Sequence, residues 1–451
     1  MTSISIRERM AAGKALRDKV PRAAHGSWSQ GTDRDPIEIL QNCNRGRVQE
    51  LVPIRFGRML QNPFTFLRGS PALMAHDLAS TPVTRIQVQA CGDCHLLNFG
   101  LFATPERNLI FDLNDFDETL PAPWEWDLKR LTTSFVTASR LNGISDRRIR
   151  DIVVACGRSY RKHMQDFSEM SPLDIWYYQI SVDDLIRLAP DAKSRHRLEK
   201  IAEKAESRVG ENLFPKITEE QQGRHRFIED PPVMTRITDE RAIEIVREGI
   251  EDYRNSLPDE RRFLFDRYRL EDFALRVVGI GSVATRCFVG LFFCDDKTPL
   301  LLQVKEARQS VLEPHAGKSP FDNHGKRVVV GQRLVQAASD IFLGWLRSQN
   351  GRDFYVRQLR DMKFSMPVED FTAGEMEQYA EVCGWTLARA HATSGDSALI
   401  SGYLGTGDNC DLAMADFAFA YADQIEQDHA ALEAAKRSGR IEAFVEEDHE
   451  S

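Results

Sequence analysis

No stretch of this sequence approaches the ~18 consecutive apolar residues that a membrane-crossing helix needs. Its opening residues, MTSISIRERMAAGKALRDKVPRAAHGSW, hold no apolar core of the kind that directs export. These absences predict a cytoplasmic protein with no membrane partner. Positive charge is in deficit: 59 Lys and Arg face 68 Asp and Glu, a formal net charge of −9, which argues against a nucleic-acid or anionic-lipid partner. Short basic runs such as Arg147-Arg148 and Arg261-Arg262 sit beside acids and read as solvated helix faces. The eight cysteines, without an export signal, read as reduced thiols, most of them small buried hydrophobes. Internal repeats and low-complexity tracts are missing too. What remains is a 451-residue chain, 42% apolar and 28% charged, long enough for two or three packed units of ordinary globular composition.

Along the chain, residues 1–35 are polar and predict a loose leader. Apolar spacing predicts short helices over 36–79, strands over 85–90 and 109–113, and a helix over 126–141 that stops at Asn142-Gly143. Ser145 then caps a second amphipathic helix. Residues 190–225 are charged and read as helical, with a break at Pro231-Pro232. Near Leu275 the character changes: residues 275–305 predict a β-hairpin and a third strand, followed by a helix over 325–338 and strands over 342–346 and 354–359. Strong helices follow over 375–391 and 413–433.

Two segments carry chemistry. The first is Cys91-Gly92-Asp93-Cys94-His95-Leu96-Leu97-Asn98, then Phe111-Asp112-Leu113-Asn114-Asp115-Phe116-Asp117. It offers an Asp, an Asn five residues on, and further Asp residues after a short hairpin. Phosphoryl transfer uses such a set: one carboxylate orients or deprotonates the attacking hydroxyl, while an amide oxygen and a second carboxylate hold Mg²⁺. The second is Val278-Gly279-Ile280-Gly281-Ser282, followed by Val304-Lys305-Glu306. A glycine turn between strands lets backbone N–H groups approach phosphates, and a lysine on the next strand neutralises them.

Gly92-Asp93-x-His95-x-x-Asn98 with Asp115-Phe116-Asp117 resembles the catalytic and metal-binding loops of aminoglycoside-phosphotransferase-like kinases. Gly279-x-Gly281-Ser282 and Val304-Lys305 resemble their glycine loop and ATP lysine. The chain also resembles an uncharacterised bacterial family, known only as a domain of unknown function and placed among kinase-like folds. The segments VPIRFGRM, FTFLRG, CGDCHLLNFG, DLNDFDETLPAPWEWDLKRL, VVGIGSVATR, VKEA, GQRLVQAASD and YVRQLRDMK carry that likeness, which covers nearly everything from 50 to 425. In ordinary kinases the glycine loop and lysine come first, whereas here Asp93 stands far ahead of Lys305. Leu387-Ala388-Arg389-Ala390-His391 resembles the helix end that precedes the catalytic loop in those kinases. The order of parts is that of a circular permutation. Two departures stand out: Cys91 where His is commoner, and Ala284 where a third glycine often sits.

The resemblance implies an α+β, protein-kinase-like two-lobe fold: a helical lobe with the catalytic and metal loops (36–270), a β-rich ATP-clamping lobe (271–363), and a hinge with helices returning to the helical lobe (364–451). It implies Asp93 and Lys305 as catalytic residues and Gly279, Gly281, Ser282, Lys305 and Glu313 as the ATP site. Adenine would lie near 355–363, and Asn98, Asp115 and Asp117 would bind Mg²⁺. Glu313 is the expected partner of Lys305, with Gln332 as substitute. The expected activity is transfer of the γ-phosphate of ATP to a hydroxyl, on a small molecule rather than a protein. Nucleotidyl transfer in the same cleft and a nucleotide-binding scaffold are the alternatives. Three other readings compete. Cys91-x-x-Cys94-His95 fits c-type haem attachment, which the lack of an export signal opposes. A Cys-x-x-Cys redox site is opposed by the Gly-Asp between the thiols. Zinc would need a second cysteine pair, and Cys287 and Cys294 are badly spaced for it. His95 reads as holding its loop by hydrogen bonds, His391 as a packed helix-end residue, and Trp124 and Trp126 as buttresses. Arg55, Arg58 and Arg68 read as ion-paired, or as an anion site.

Overall fold

A computed structural model of the chain describes residues 5–32, 34–189, 191–231, 233–277, 283–295, 298–359 and 361–444. Helix α1 (Ile6–Ala15) opens with a capping box between Ser5 and Glu8. It is no loose leader. Any Cβ on Gly13 would strike the Leu399 carbonyl oxygen at 2.0 Å, so the backbones touch. Arg17 and Arg22 donate to the carbonyls of Gly402, Tyr403 and Leu404. These are the last-turn carbonyls of a distant helix, the groups a helix leaves unsatisfied. His25 is fully buried against the Tyr403 hydroxyl at 2.7 Å. Two of the strap's polar residues, Arg17 and Arg22, serve carbonyl recognition, while Arg7, Glu8, Lys14, Asp18 and Lys19 are exposed.

Helices α2 (Pro36–Asn44), α3 (Val52–Met59), α4 (Pro63–Gly69) and α5 (Pro71–Leu78) each carry a proline in the first turn, where no N–H is needed. Strand β1 (Gln87–Ala90) leads to the loop of interest, then β2 (Phe99–Ala103), β3 (Leu109–Leu113) and β4 (Leu120–Pro123). β2 and β3 form a hairpin, and β1 pairs with β4. α6 (Trp124–Leu141) is buried along most of its length, whereas α7 (Asp146–Glu169) is amphipathic. Ser145 holds the N-cap position of α7 but its side chain makes no capping bond. After α8 (Pro172–Tyr177) and α9 (Val182–Leu188), the charged segment is only partly helical. It forms α10 (Ala192–Glu206) and α11 (Gly210–Ile217), then a hairpin of β5 (Thr218–Gln221) and β6 (Arg224–Phe227).

The smaller unit starts earlier in sequence than residue 271. β7 (Met234–Arg236), α12 (Glu240–Ser256) and α13 (Asp259–Phe265) precede β8 (Arg269–Arg276), β9 (Cys287–Phe293) and β10 (Pro299–Ala307). α14 (Glu313–Ala316), α15 (His324–Val335), β11 (Gly344–Arg347) and β12 (Asp353–Gln358) complete it. The strands form one antiparallel sheet in the order β11-β12-β10-β9-β8-β7. Period-two alternation gives it two apolar faces. Phe292, Leu300, Leu302 and Val356 pack on Tyr253 and Phe265 of the preceding helices and on Leu257 between them. Val289, Leu291 and Leu301 pack on Leu213, Phe227 and Met234. Residues from about 210 onward therefore belong with the sheet, and the expected boundary at 270 moves toward the N-terminus.

After β13 (Phe364–Ser365), which extends the β2–β3 hairpin, α16 (Ala373–Ser394) packs along α7 and onto β1. α17 (Ser397–Leu404) receives α1, and α18 (Asn409–Arg437) closes the larger core. Among the described residues, no helix is long and apolar enough to cross a membrane.

Candidate active site

The loop after β1 is held from below by α6. Asp127, in the first turn, accepts the backbone N–H of Cys91 at 2.7 Å and of Gly92 at 3.0 Å. Gly92 has φ +81°, and a Cβ there would meet the Glu118 carbonyl oxygen at 2.5 Å, so only glycine fits. Asp127 also faces His391 Nε2 at 3.4 Å, and His391 Nδ1 pairs with the Tyr160 hydroxyl at 2.8 Å. Trp124 stacks on Tyr160. His391 thus packs inside α16 as a brace for the loop.

One turn beyond Asp127, Arg130 Nε donates to Asp93 Oδ1 at 2.7 Å, while its far end donates to the Leu67 carbonyl. Burial raises the Asp93 pKa against the pull of Arg130, and nearby Asp115 raises it further. The Asp93 carbonyl accepts from His95 N at 2.8 Å and from Asn98 Nδ2 at 2.5 Å. The amide nitrogen of Asn98 is thereby taken, leaving Oδ1 as the end available to a cation. The His95 ring holds nothing through Nδ1, which is buried with no partner among the described residues. Burial together with Arg68 and Arg130 keeps that ring neutral.

The β2–β3 hairpin returns the chain to the same place, since Asn114 N donates to the Asn98 carbonyl at 2.8 Å. Asp115 and Asp117 follow. Lys305, on β10, lies 3.9 Å from Asp115 Oδ2 and is ion-paired with Asp117 Oδ2. Tyr355 is the cross-strand partner of Lys305, and its hydroxyl donates to the other Asp117 oxygen at 2.7 Å. Burial alone would push the Lys305 ammonium toward neutrality, but Asp115 and Asp117 outweigh it and hold the pKa well above its ordinary value. Burial likewise opposes ionisation of Asp115, and Lys305, Arg357 and Lys363 overcome it, so this carboxylate titrates below the usual range.

Asp93, Asn98, Asp115, Asp117 and Lys305 thus lie close together where the two units meet. Glu313 is not the partner of Lys305: its carboxylate lies 3.7 Å from His324 Nδ1 and faces the Ser310 amide. Gln332 is bonded to Gln336. The acids that meet the lysine come from the other unit, after the β2–β3 hairpin. Gly279, Gly281 and Ser282 lie outside the described residues. Arg55 forms no ion pair among the described residues; it donates to Asn44 Oδ1 and to the Gly69 carbonyl. Arg68 is held in the field of Asp93 and Asp115.

Sequence reasoning passed over Asp127 and Arg130, which look like ordinary helix charges. The signal available was their three-residue spacing, which puts both on one face of the helix. It also passed over Arg357 and Lys363. The Cys91, Cys94 and Asp127 ligand atoms lie within 4.8 Å of one another. Burial pushes the Cys91 thiol up to about 11 and the Cys94 thiol well above its ordinary value, and Asp127 accepts the amides of Cys91 and Gly92.

Residues 47–435 match the family described as an uncharacterized protein conserved in bacteria (DUF2252). The chain belongs to that family. No curated protein and no solved structure matches the sequence. The family span takes in every cleft residue named above and leaves out the N-terminal strap.

Proposed function

We propose that the protein is an ATP- and Mg²⁺-dependent transferase of kinase-type, circularly permuted architecture that acts on a hydroxyl of a small acceptor. What carries the reading is the convergence of Lys305 on Asp115 and Asp117, a few ångströms apart although far apart in sequence. Supporting it, five strands run β8-β9-β10-β12-β11 with α15 between β10 and β11 in the chain. A lysine strand followed by a helix is the succession that the kinase resemblance implies. The donor set suits the metal: Asn98 Oδ1 and the carboxylates of Asp115 and Asp117 are hard oxygen ligands. A magnesium ion held there would neutralise phosphate charge.

The chain's own residues do the rest. Asp93, steered by Arg130 and with its pKa raised, orients the acceptor hydroxyl and takes its proton. Lys305 supplies a fixed positive charge to the phosphates. The amides of Cys91 and Gly92, anchored on Asp127, hold Asp93 in place. The experiment is calorimetric titration of Mg²⁺·ATP into wild type, Asp115→Asn and Lys305→Ala, with turnover followed alongside. The reading requires magnesium-dependent binding by wild type that both substitutions weaken. Wild type without affinity for Mg²⁺·ATP would sink it, and tight binding with no turnover toward any hydroxyl would favour the scaffold.

A further inference from the structure

Two cavities flank the Lys305–Asp117 pair, and they differ in size; each carries two cationic side chains, Arg47 and Arg308 in the larger and Arg357 and Lys363 in the smaller. One, of about 340 Å³, lies beyond Lys305 along β10. Ile39, Ala72, Val311, Pro314 and His315 are among the residues that line it, with Asp117 at its inner wall. The other, of about 80 Å³, lies on the hinge side and is lined by Asn114, Gln303, Arg357 and Lys363. Positions 303 and 307 of β10 mark the two, roughly 13 Å apart at ~3.3 Å per strand residue, with Lys305 midway.

The small cavity is where adenine was expected, and it suits a base poorly. Small-molecule sites run to about 300–1,000 Å³, and its walls are polar. Its donors are in excess. Lys363 Nζ makes one bond, to the Asn114 carbonyl at 2.8 Å. Arg357 bonds Gln303 Oε1 at 3.0 Å and reaches the same carbonyl only at 3.4 Å. Asn114 Nδ2 is buried with no partner among the described residues. The two acids on its wall are already engaged: Asp340 accepts from Gln358 and the Phe342 amide, and Asp361 pairs with Arg107. A buried site with an unpartnered side-chain amide and two cations that make few bonds can take an anion.

We propose that ATP lies in the cleft with its triphosphate pointing inward, the terminal phosphates on Arg357 and Lys363 and the nucleoside in the larger cavity, so that the group transferred is AMP. This rests on the reading of the cleft as an ATP·Mg²⁺ site and names which phosphorus is attacked. The acceptor oxygen forms a bond to the α-phosphorus. The bond from that phosphorus to the oxygen bridging to the β-phosphate breaks, and pyrophosphate departs with its electron pair. The hydroxyl proton passes to Asp93.

Affinities for Mg²⁺·ATP and for AMP, measured on wild type, Arg357→Met and Lys363→Met, test the orientation. The variants are expected to lose about tenfold or more in ATP affinity, the size of a lost charged hydrogen bond, while AMP binds as before. An equal loss for ATP and AMP, or no loss for either, overturns the proposal, because the cations would then face the base or nothing. Products of ATP turnover give the second arm: AMP with pyrophosphate is expected, and ADP with phosphate overturns the inference while leaving the transferase reading intact. A wild type that binds no Mg²⁺·ATP brings down that reading, and this inference with it. Circular dichroism of each variant checks that the fold survives.

Discussion

Replacing Lys305 by methionine keeps the length of the side chain and removes the ammonium between Asp115 and Asp117. The lysine side chain is 4% exposed, while the two carboxylates are 33% and 28% exposed. Removing one partner of a fully buried pair costs about 3–5 kcal/mol, and exposed pairs are worth about 0–1 kcal/mol. The partial opening of the carboxylates places the expected loss near 2–3 kcal/mol at pH 7. The pH dependence follows from the shifts. Asp115 is held below its ordinary pKa, so its share of stability is present above about pH 4 and is lost as pH falls through the folded value. Lys305 is held above its ordinary value, so its share is complete below about pH 10 and disappears only as pH rises through the folded value. The gap between variant and wild type is therefore full-sized from about pH 5 to 10 and narrows below about pH 4. Urea unfolding of both proteins at pH 7 and well below pH 4, at about pH 2.5, measures it. The variant also leaves the Asp115 and Asp117 carboxylates without the ammonium between them, so millimolar Mg²⁺ should stabilise it more than wild type. A deficit below about 0.5 kcal/mol at pH 7, or one that does not change with pH, would refute the electrostatic account. Equal Mg²⁺ stabilisation of the two proteins would refute the metal site.

Asp93→Asn should leave Mg²⁺·ATP affinity unchanged and cut turnover by ~10²–10⁴-fold. In wild type the acid limb of the pH–rate profile should lie above the ordinary aspartate value, because burial raises the Asp93 pKa. Asp127→Asn weakens the acceptor of two loop amides, at about 1–3 kcal/mol; hydrogen exchange should show Cys91 and Gly92 losing protection, and unchanged protection would reassign their anchor. Gly402→Ala places a Cβ 2.1 Å from the Met10 carbonyl oxygen, so α1 must lift from α17. Limited proteolysis near the N-terminus should speed up markedly, and an unaltered rate would mean that α1 is not docked there.

Much of the architecture was legible because it rests on short-range pattern. The alternation in β8–β10 and the apolar stripe of α16 report the elements directly, and the motif residues Asp93, Asn98, Asp115 and Lys305 converge on one cleft. What was misread depends on partners distant in sequence. Glu313 looked like the mate of Lys305 because it follows closely, yet the acids that reach the lysine come from a hairpin in the other unit. The stripe of Tyr253, Leu257 and Phe265 states that α12 and α13 must pack, not that their surface is the sheet still to come. Residues 5–32 looked solvated because nothing local reveals that Arg17 and Arg22 meet the carbonyls of a helix near the other end of the chain.

The order of the two units along the chain sets a timetable for synthesis. The sheet and the helices covering it, from about residue 210 to 359, are contiguous and can close their cores as soon as they emerge. The larger core cannot, because α6 and α7 must wait for α16 and α18. At ~5–20 residues per second, roughly 10–40 seconds separate Ala205 from Ile400. Through that interval the Asp93 loop has Asp127 but not His391, and Asp115 has no Lys305 until β10 arrives. Val328, Val329 and Tyr355 of the later unit also belong to the larger core, so the nascent chain carries an acidic loop and apolar helix faces that still lack their partners until the last helices arrive.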